Sequence, residues 1–216
     1  MSEPGNAKSG LKLTDRATLS LLSVLEDDVH ATQRGLAVRI GVALGLTNSL
    51  LKRAVRKGLV KVKDVPAKRF AYYVTPKGFS EKSRLVADYL TSSLSFFRQA
   101  RDEYADLCQK AKGCGHKRIA LYGAGELAEI AMLSAQEGES ELCGVIHIGS
   151  NQPHFAGLPI YSTLDAALAQ NIDAVIITSI DAPQAAYDHL VQHIGADRVF
   201  AVPMLHISRN SVGVRR

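Results

Sequence analysis

Gly123, Gly125 and Ala128 stand in the spacing G-x-G-x-x-A within "LYGAGELAEIA". That spacing suits the binding of a phosphate. Gly123 permits a tight turn, Gly125 lets a pyrophosphate approach the backbone, and a small residue at 128 lets a helix pack closely on the strand before it. Ala124, Glu126 and Leu127 complete the loop, where a helix N-terminus presents free N–H groups. Glu126 puts a negative charge beside the phosphate position, and it also complements the positive end of the helix. Thr178 and Ser179 close a later apolar stretch, at the rim where such ligands bind; capping of the next helix is their other role. His147 falls where an acidic residue usually ends the second strand and holds a ribose. Histidine can hydrogen-bond a hydroxyl or, when protonated, favour a phosphate, so the usual argument for NAD is missing.

A second set of residues suits nucleic acid. In "VALGLTNSLLKRAVRKG" a wheel of 100° per residue puts Leu46, Leu50, Leu51 and Ala54 in one arc, with Thr47 inside it. Gly45, Asn48, Ser49, Lys52 and Arg56 cluster opposite, with Arg53 at the edge. A small residue allows close approach, an asparagine can pair with adenine, and cations reach phosphates. An ordinary solvated helix face has the same composition, so the segment that follows matters. There Val60 and Val62 alternate with Lys61 and Lys63, and the return run carries Phe70, Tyr72 and Val74. The turn between them, Asp64 to Arg69, holds Pro66 and the pair Lys68–Arg69.

No nucleophile or acid–base set stands out. Tyr73 and Lys77 match Y-x-x-x-K, but Pro76 interrupts the helix that pair needs. Cys108, Cys114 and His116 match no common zinc spacing. There is no P-loop lysine motif and no H-E-x-x-H. No catalytic residue and no metal site is expected.

These residues need elements to position them. "LTDRATLSLLSVLED", opened by Thr14 or Asp15, and "TQRGLAVRIG", closed by Gly41, are two helices ahead of the third, a helix-turn-helix order. From Pro76 to about Lys112 only Gly78 interrupts a segment free of glycine and proline. It predicts a helix of roughly 50 Å. Leu90, Phe97 and Tyr104, with Val86, Ser93, Ala100 and Leu107, form two series seven apart, an a/d-like seam that suits a homodimer helix, the alternative being a long helix packed on its own domain. "KAKGCGH" follows as a linker. Beyond it, strands at 119–121, 141–148, 158–162, 172–179 and about 198–203 alternate with helices, which predicts a parallel sheet in the order 3-2-1-4-5. The expected divisions are a frayed start (1–11), a DNA-reading domain (12–75), a long helix (76–112), a linker (113–116), a sheet domain (117–205) and a tail (206–216).

Charge divides the same way. Residues 1–116 carry +9 and residues 117–216 carry −4, so only the first half suits a polyanion. No run of about 18 apolar residues predicts a membrane span. "MSEPGNAKSG" does not read as a signal peptide, and three cysteines fit a reduced, cytoplasmic setting.

The helix order, "KGLVKVK", the basic hairpin and "TPKG" resemble the winged-helix regulators of the MarR type, and within them the exopolysaccharide-associated members. The resemblance covers about residues 12–112 and implies an α+β winged helix-turn-helix domain with a dimerisation helix, binding double-stranded DNA. "GAGELAE", "CGVI", "GLPIYS" and "IDAVIITS" resemble the Rossmann-like nucleotide-binding domains of polysaccharide-biosynthesis and sugar-nucleotide proteins, over about residues 116–204. Together these imply a regulator that senses a nucleotide, nucleotide-sugar or dinucleotide as ligand rather than cofactor. An NAD(H)-sensing redox repressor shares the plan at the level of architecture. A small nucleotide-sugar enzyme and an adaptor with an empty pocket are the other classes.

Overall fold

A computed structural model describes residues 13–66, 69–137 and 141–209. The chain divides into two compact units, Met1–Phe96 and Phe97–Arg216. Residues 1–12 and 210–216, which hold the expected frayed start and most of the tail, lie outside the described residues, as does Lys68 of the expected turn pair.

The N-terminal unit runs α1 (Leu13–Asp27), α2 (Gln33–Ile40), α3 (Leu44–Arg56), β1 (Val60–Val65) and β2 (Arg69–Val74), and then enters α4 (Pro76–Gly113). Thr14 and Asp15 lie within the first turn of α1 and do not cap it. Thr32 caps α2, its Oγ1 accepting the N–H of Gly35 at 3.1 Å. Gly41, at φ 73°, ends that helix in the left-handed conformation that a side chain would disfavour. Leu21, Leu22, Leu25, Leu36, Leu50 and Leu51 meet Leu59, Val60 and Tyr72 of the hairpin in one core. β1 and β2 pair antiparallel from Val60–Val74 to Val65–Arg69, and the N–H of Tyr72 also reaches the carbonyl of Val29 at 2.8 Å. Thr75 then caps α4: its Oγ1 accepts the N–H of Gly78 and donates to the carbonyl of Gly58. Pro76 follows, where a missing N–H costs nothing.

The C-terminal unit is a six-stranded sheet. Its strands are β3 (Arg118–Tyr122), β4 (Glu141–Ile146), β5 (His154–Phe155), β6 (Leu158–Tyr161), β7 (Ala174–Ile177) and β8 (Val199–Ala201), in the order β5-β6-β4-β3-β7-β8. Five strands are parallel; β5, not foreseen in the sequence, pairs antiparallel with the edge strand β6. Alternate residues feed opposite faces. Ile119, Leu121 and Ile176 pack under α5 (Glu126–Glu137), whereas Ala120, Val175 and Ile177 pack under α6 (Leu164–Leu168) and α7 (Pro183–Ile194). Gly144 lets the Tyr161 ring lie against β4, since a Cβ there would stand 2.3 Å from its Cε2.

The second half of α4 belongs to this sheet. Ala100, Tyr104, Leu107, Cys108 and Ala111 are buried beside α5. The Tyr104 hydroxyl donates to the carbonyl of Ile177 at 3.1 Å, and burial raises its pKa well above the usual phenol range. Ser134 Oγ donates to the carbonyl of Arg101, and the N–H of Met204 donates to Glu103. The division between units therefore falls inside the helix, not at the 113–116 linker. The expected dimer seam is also split. Tyr104, Ala100 and Leu107 are consumed by the sheet, because an apolar stripe repeating every seven residues fits a sheet face as well as a partner helix. Val86, Leu90 and Phe97 remain exposed, as do Tyr89 and Leu94.

Gly78 packs against the end of the hairpin, where an added Cβ would lie 2.2 Å from the carbonyl oxygen of Leu59 and 2.8 Å from a Val74 methyl. Gly78→Ala should destabilise the N-terminal unit by about 1–3 kcal/mol, the usual range for overpacking. Gly45→Ala, whose Cβ meets nothing within 4 Å, should not lose stability, since alanine is the better helix former. Denaturant unfolding of both variants checks this.

Candidate nucleic-acid interface and candidate ligand cleft

On α3, Gly45, Ser49, Lys52, Arg53 and Arg56 are exposed, while Leu50, Leu51, Ala54 and Thr47 are buried. Two residues depart from the wheel. Leu46 is 48% exposed, because the chain at the start of α3 has little above it. Asn48 is half-buried, and its Oδ1 is buried without a hydrogen-bond partner. It thus sits on the flank of the exposed face rather than at its centre. Ser49 Oγ donates back to the carbonyl of Gly45 at 3.1 Å. The exposed cations Arg53 and Arg56 occupy the last turn, where they also complement the helix dipole.

A crevice of about 340 Å³ separates α3 from the hairpin. Leu51, Val55, Val62 and Phe70 make its apolar walls, and Lys52 and Arg56 stand on its lining. Phe70 is 49% exposed, and Lys63 Nζ lies 5.5 Å from the ring centre of Tyr73, within cation–π range. The hairpin therefore turns Phe70 toward the crevice beside the cationic helix, while Lys63 and Tyr73 occupy its opposite face. Of the expected tip pair, Lys68 lies outside the described residues; Arg69 opens β2, and its side chain is not described.

The structure brings all eight expected ligand residues together in the C-terminal unit. Gly123, Ala124, Gly125, Glu126, Leu127, His147, Thr178 and Ser179 line one cleft of about 150 Å³, joined by Ile180 and Asp181. A second cavity of about 350 Å³ adjoins it and shares Gly123, His147, Ser179 and Asp181. Its other walls are mostly apolar, including Tyr122, Ile146, Ile148 and Ala185. Both open at the C-terminal ends of β3, β4 and β7. The loop after β3 turns to the α5 face and the loop after β7 to the α7 face, which is the switch point where parallel sheets bind ligands.

Close packing builds this cleft. Gly123 has φ 109°, and a Cβ on it would stand 2.8 Å from the Cα and N of Ser179. Thr178 is buried, with its hydroxyl shared between the carbonyls of Tyr122 and Gly123 at 3.0 and 2.7 Å. It holds the loop and has no donor left for a ligand. Ser179 Oγ donates to the carbonyl of Asp181 at 3.1 Å. Gly125 has nothing within 4 Å of its Cβ position, so its side of the loop is open. His147 Nδ1 accepts the N–H of Ala124 at 3.3 Å. Asp181, Ile180, Ile148 and Tyr122 were not foreseen; the signal for Asp181 was an acid three residues after Thr178, just before the "AP" that opens α7. No lysine or arginine lines either cavity among the described residues.

Residues 14–61 match the winged helix-turn-helix DNA-binding family. The N-terminal unit is thus a winged helix-turn-helix, followed by a parallel α/β unit. Among solved structures the chain is similar to a MarR family transcription regulator (24% identity, 41% of this chain and 58% of that one, TM-score 0.34). It is also similar to the Mycobacterium tuberculosis regulator MosR (29%, 49% and 80%, 0.33) and to Lactococcus lactis ZitR in complex with DNA (20%, 62% and 80%, 0.33). The chain spans 58% and 64% of the first two regulators it matches. An O-methyltransferase in complex with S-adenosyl-L-homocysteine is matched at 14% identity and TM-score 0.28. TM-scores this low establish no common fold across the chain. Comparison with curated proteins finds no match. No described helix is long and apolar enough to cross a membrane.

The two loop glycines should respond differently to the same change. Gly123→Ala meets both a disfavoured φ and the Ser179 backbone, so it should lower the unfolding midpoint of the C-terminal unit. Gly125→Ala meets open space and should leave it nearly unchanged. Thermal unfolding of each variant reads the difference.

Proposed function

We propose that the chain is a ligand-responsive transcriptional regulator. It reads operator DNA through the exposed face of α3 and the hairpin, as a homodimer, and binds a nucleotide or nucleotide-sugar metabolite in the cleft of the sheet unit. The observation that carries this reading is the pairing, in one chain, of a matched winged helix-turn-helix with a cleft at a sheet's switch point. Gly45, Ser49, Lys52 and Arg56 face the major groove, Asn48 contributes from the flank, Arg53 reaches phosphate, and Lys68 and Arg69 follow the backbone or minor groove. The MarR-like resemblance of the N-terminal unit and the sugar-nucleotide resemblance of the sheet favour genes of polysaccharide biosynthesis as targets.

The dimer rests on the exposed stripe of α4. Val86, Tyr89, Leu90, Leu94 and Phe97 follow helical spacing and are each 37–53% exposed. Apolar area left in water on one face is what a second copy would cover. The cleft supports a ligand with two unlike halves. The open loop at Gly125 and the N-terminus of α5 suit a diphosphate, and the larger, more apolar cavity suits a base or sugar ring.

Sedimentation at micromolar concentration should give about twice the 23.3 kDa chain mass, and Leu90→Asp with Leu94→Asp should give monomer. A wild-type monomer at every concentration would sink the dimer. Arg53→Ala should weaken binding to all DNA sequences and flatten the salt dependence, by a slope of about 1 for the lost phosphate contact. Unchanged binding to an operator found by unbiased selection would remove the DNA-reading face.

Coupling tests the sensor. Nucleotide-sugars and NAD(P)(H) are titrated into the full chain with and without operator. A ligand of the cleft should shift operator affinity by typically 1–3 kcal/mol, and DNA should shift ligand affinity equally. Gly125→Val should abolish the response and leave ligand-free DNA binding intact. Equal ligand affinity with and without operator would make the sheet unit a scaffold or an enzyme instead.

A further inference from the structure

Nucleotide clefts of this topology usually end the second strand in an acid that accepts the hydroxyls of a ribose. Here His147 stands after β4, and its hydrogen bond fixes its polarity. Nδ1 accepts the N–H of Ala124. A neutral imidazole that accepts at one nitrogen carries its proton on the other. The free polar atom of His147, Nε2, is therefore a donor. It can serve a phosphate or carbonyl oxygen, but it cannot accept a hydroxyl, so a sugar bound in this cleft needs its acceptor elsewhere.

Asp181 is placed to be that acceptor. β4 and β7 flank β3 on its two sides, so His147 after β4 and Asp181 after β7 bracket the cleft. Asp181 lines both cavities, whereas Glu126 lines only the smaller one. Its residue is exposed, and none of the described hydrogen bonds or ion pairs uses its carboxylate. The backbone around it is held nonetheless. Ser179 Oγ donates to its carbonyl, Ala182 takes a left-handed φ of 48°, and Pro183 opens α7. A non-glycine residue in that conformation is uncommon and costs free energy. The loop is thus shaped at some expense while the carboxylate stays unpaired.

We propose that Asp181 recognises the sugar of the ligand, its carboxylate accepting the ribose hydroxyls while His147 donates to another oxygen of the same molecule. The proposal rests on the nucleotide-binding reading of the cleft. Relative to the usual arrangement, donor and acceptor have exchanged sides of β3. A ribonucleoside diphosphate satisfies both groups, and its 2′-deoxy counterpart leaves the carboxylate short of a donor.

Calorimetric titration of UDP, ADP, 2′-deoxyUDP and 2′-deoxyADP into the full chain tests this, using wild type, Asp181→Ala, Asp181→Asn and Gly125→Val. Wild type should prefer a ribonucleotide over its deoxy form by about ten-fold, as expected for loss of a charge-assisted hydrogen bond. Asp181→Ala should abolish that preference by weakening the ribonucleotide alone, and Asp181→Asn should reduce it. Unfolding midpoints of the Asp181 variants should match wild type. A preference that survives Asp181→Ala, or a wild type with none, overturns the assignment of Asp181. If Gly125→Val still abolishes binding in that case, the nucleotide reading stands alone. Failure of all four probes to bind wild type overturns both.

Discussion

The C-terminal unit depends on how closely β3 and β7 run out of the sheet together. Gly123 turns with its α-carbon almost against the backbone of Ser179, at a distance no side chain allows. That approach puts the carbonyls of Tyr122 and Gly123 within reach of the Thr178 hydroxyl. It sends one loop to each face of the sheet and leaves a cleft between them. Open space at Gly125 follows from the same turn: the first glycine is spent on packing, and the second faces outward. The two glycines of one short motif therefore answer to different demands, one steric and internal, the other set by whatever approaches from outside.

The long helix is under a comparable division. Its first turns are capped by Thr75 and packed on the hairpin, and its last turns fill a face of the sheet beside α5. Tyr104 joins it to the residue just before Thr178. A shift in the β7 loop would meet this hydrogen bond first, since Ile177 is the last residue of β7. The buried phenol has no alternative acceptor in water, so the bond resists breaking more than an exposed one would.

Much of this was legible in the sequence because the signals were local. Alternating Val60 and Val62, the glycine stop of α2, and the strand–turn–helix around Gly123 each depend on neighbours within a few residues. The eight cleft residues followed from where parallel strands end. What was not legible required knowing which surface a periodic stripe meets. Tyr104 and Leu90 share a seven-residue spacing, yet one is buried under a sheet and the other is exposed. Leu46 fell inside the apolar arc of its wheel but sits where no element covers it. The contact of His147 with Ala124 joins residues 23 apart in sequence, and nothing in either residue announces it. Asp181 gives no sequence signal that separates it from any acid ahead of a helix.

The middle of α4 carries "TSSLS", Thr91 to Ser95. Serine and β-branched threonine are weak helix formers, and this stretch has almost no buried neighbours to compensate, with only Ser92 half-buried. Its hydrogen bonds in a lone chain are held by the turns on either side and by little else. Amide protons there would exchange with solvent sooner than those of Leu85 or Tyr104, which lie in packed turns of the same helix. A helix of this kind is strongest at its ends and weakest at its centre, the reverse of the fraying expected of a free one.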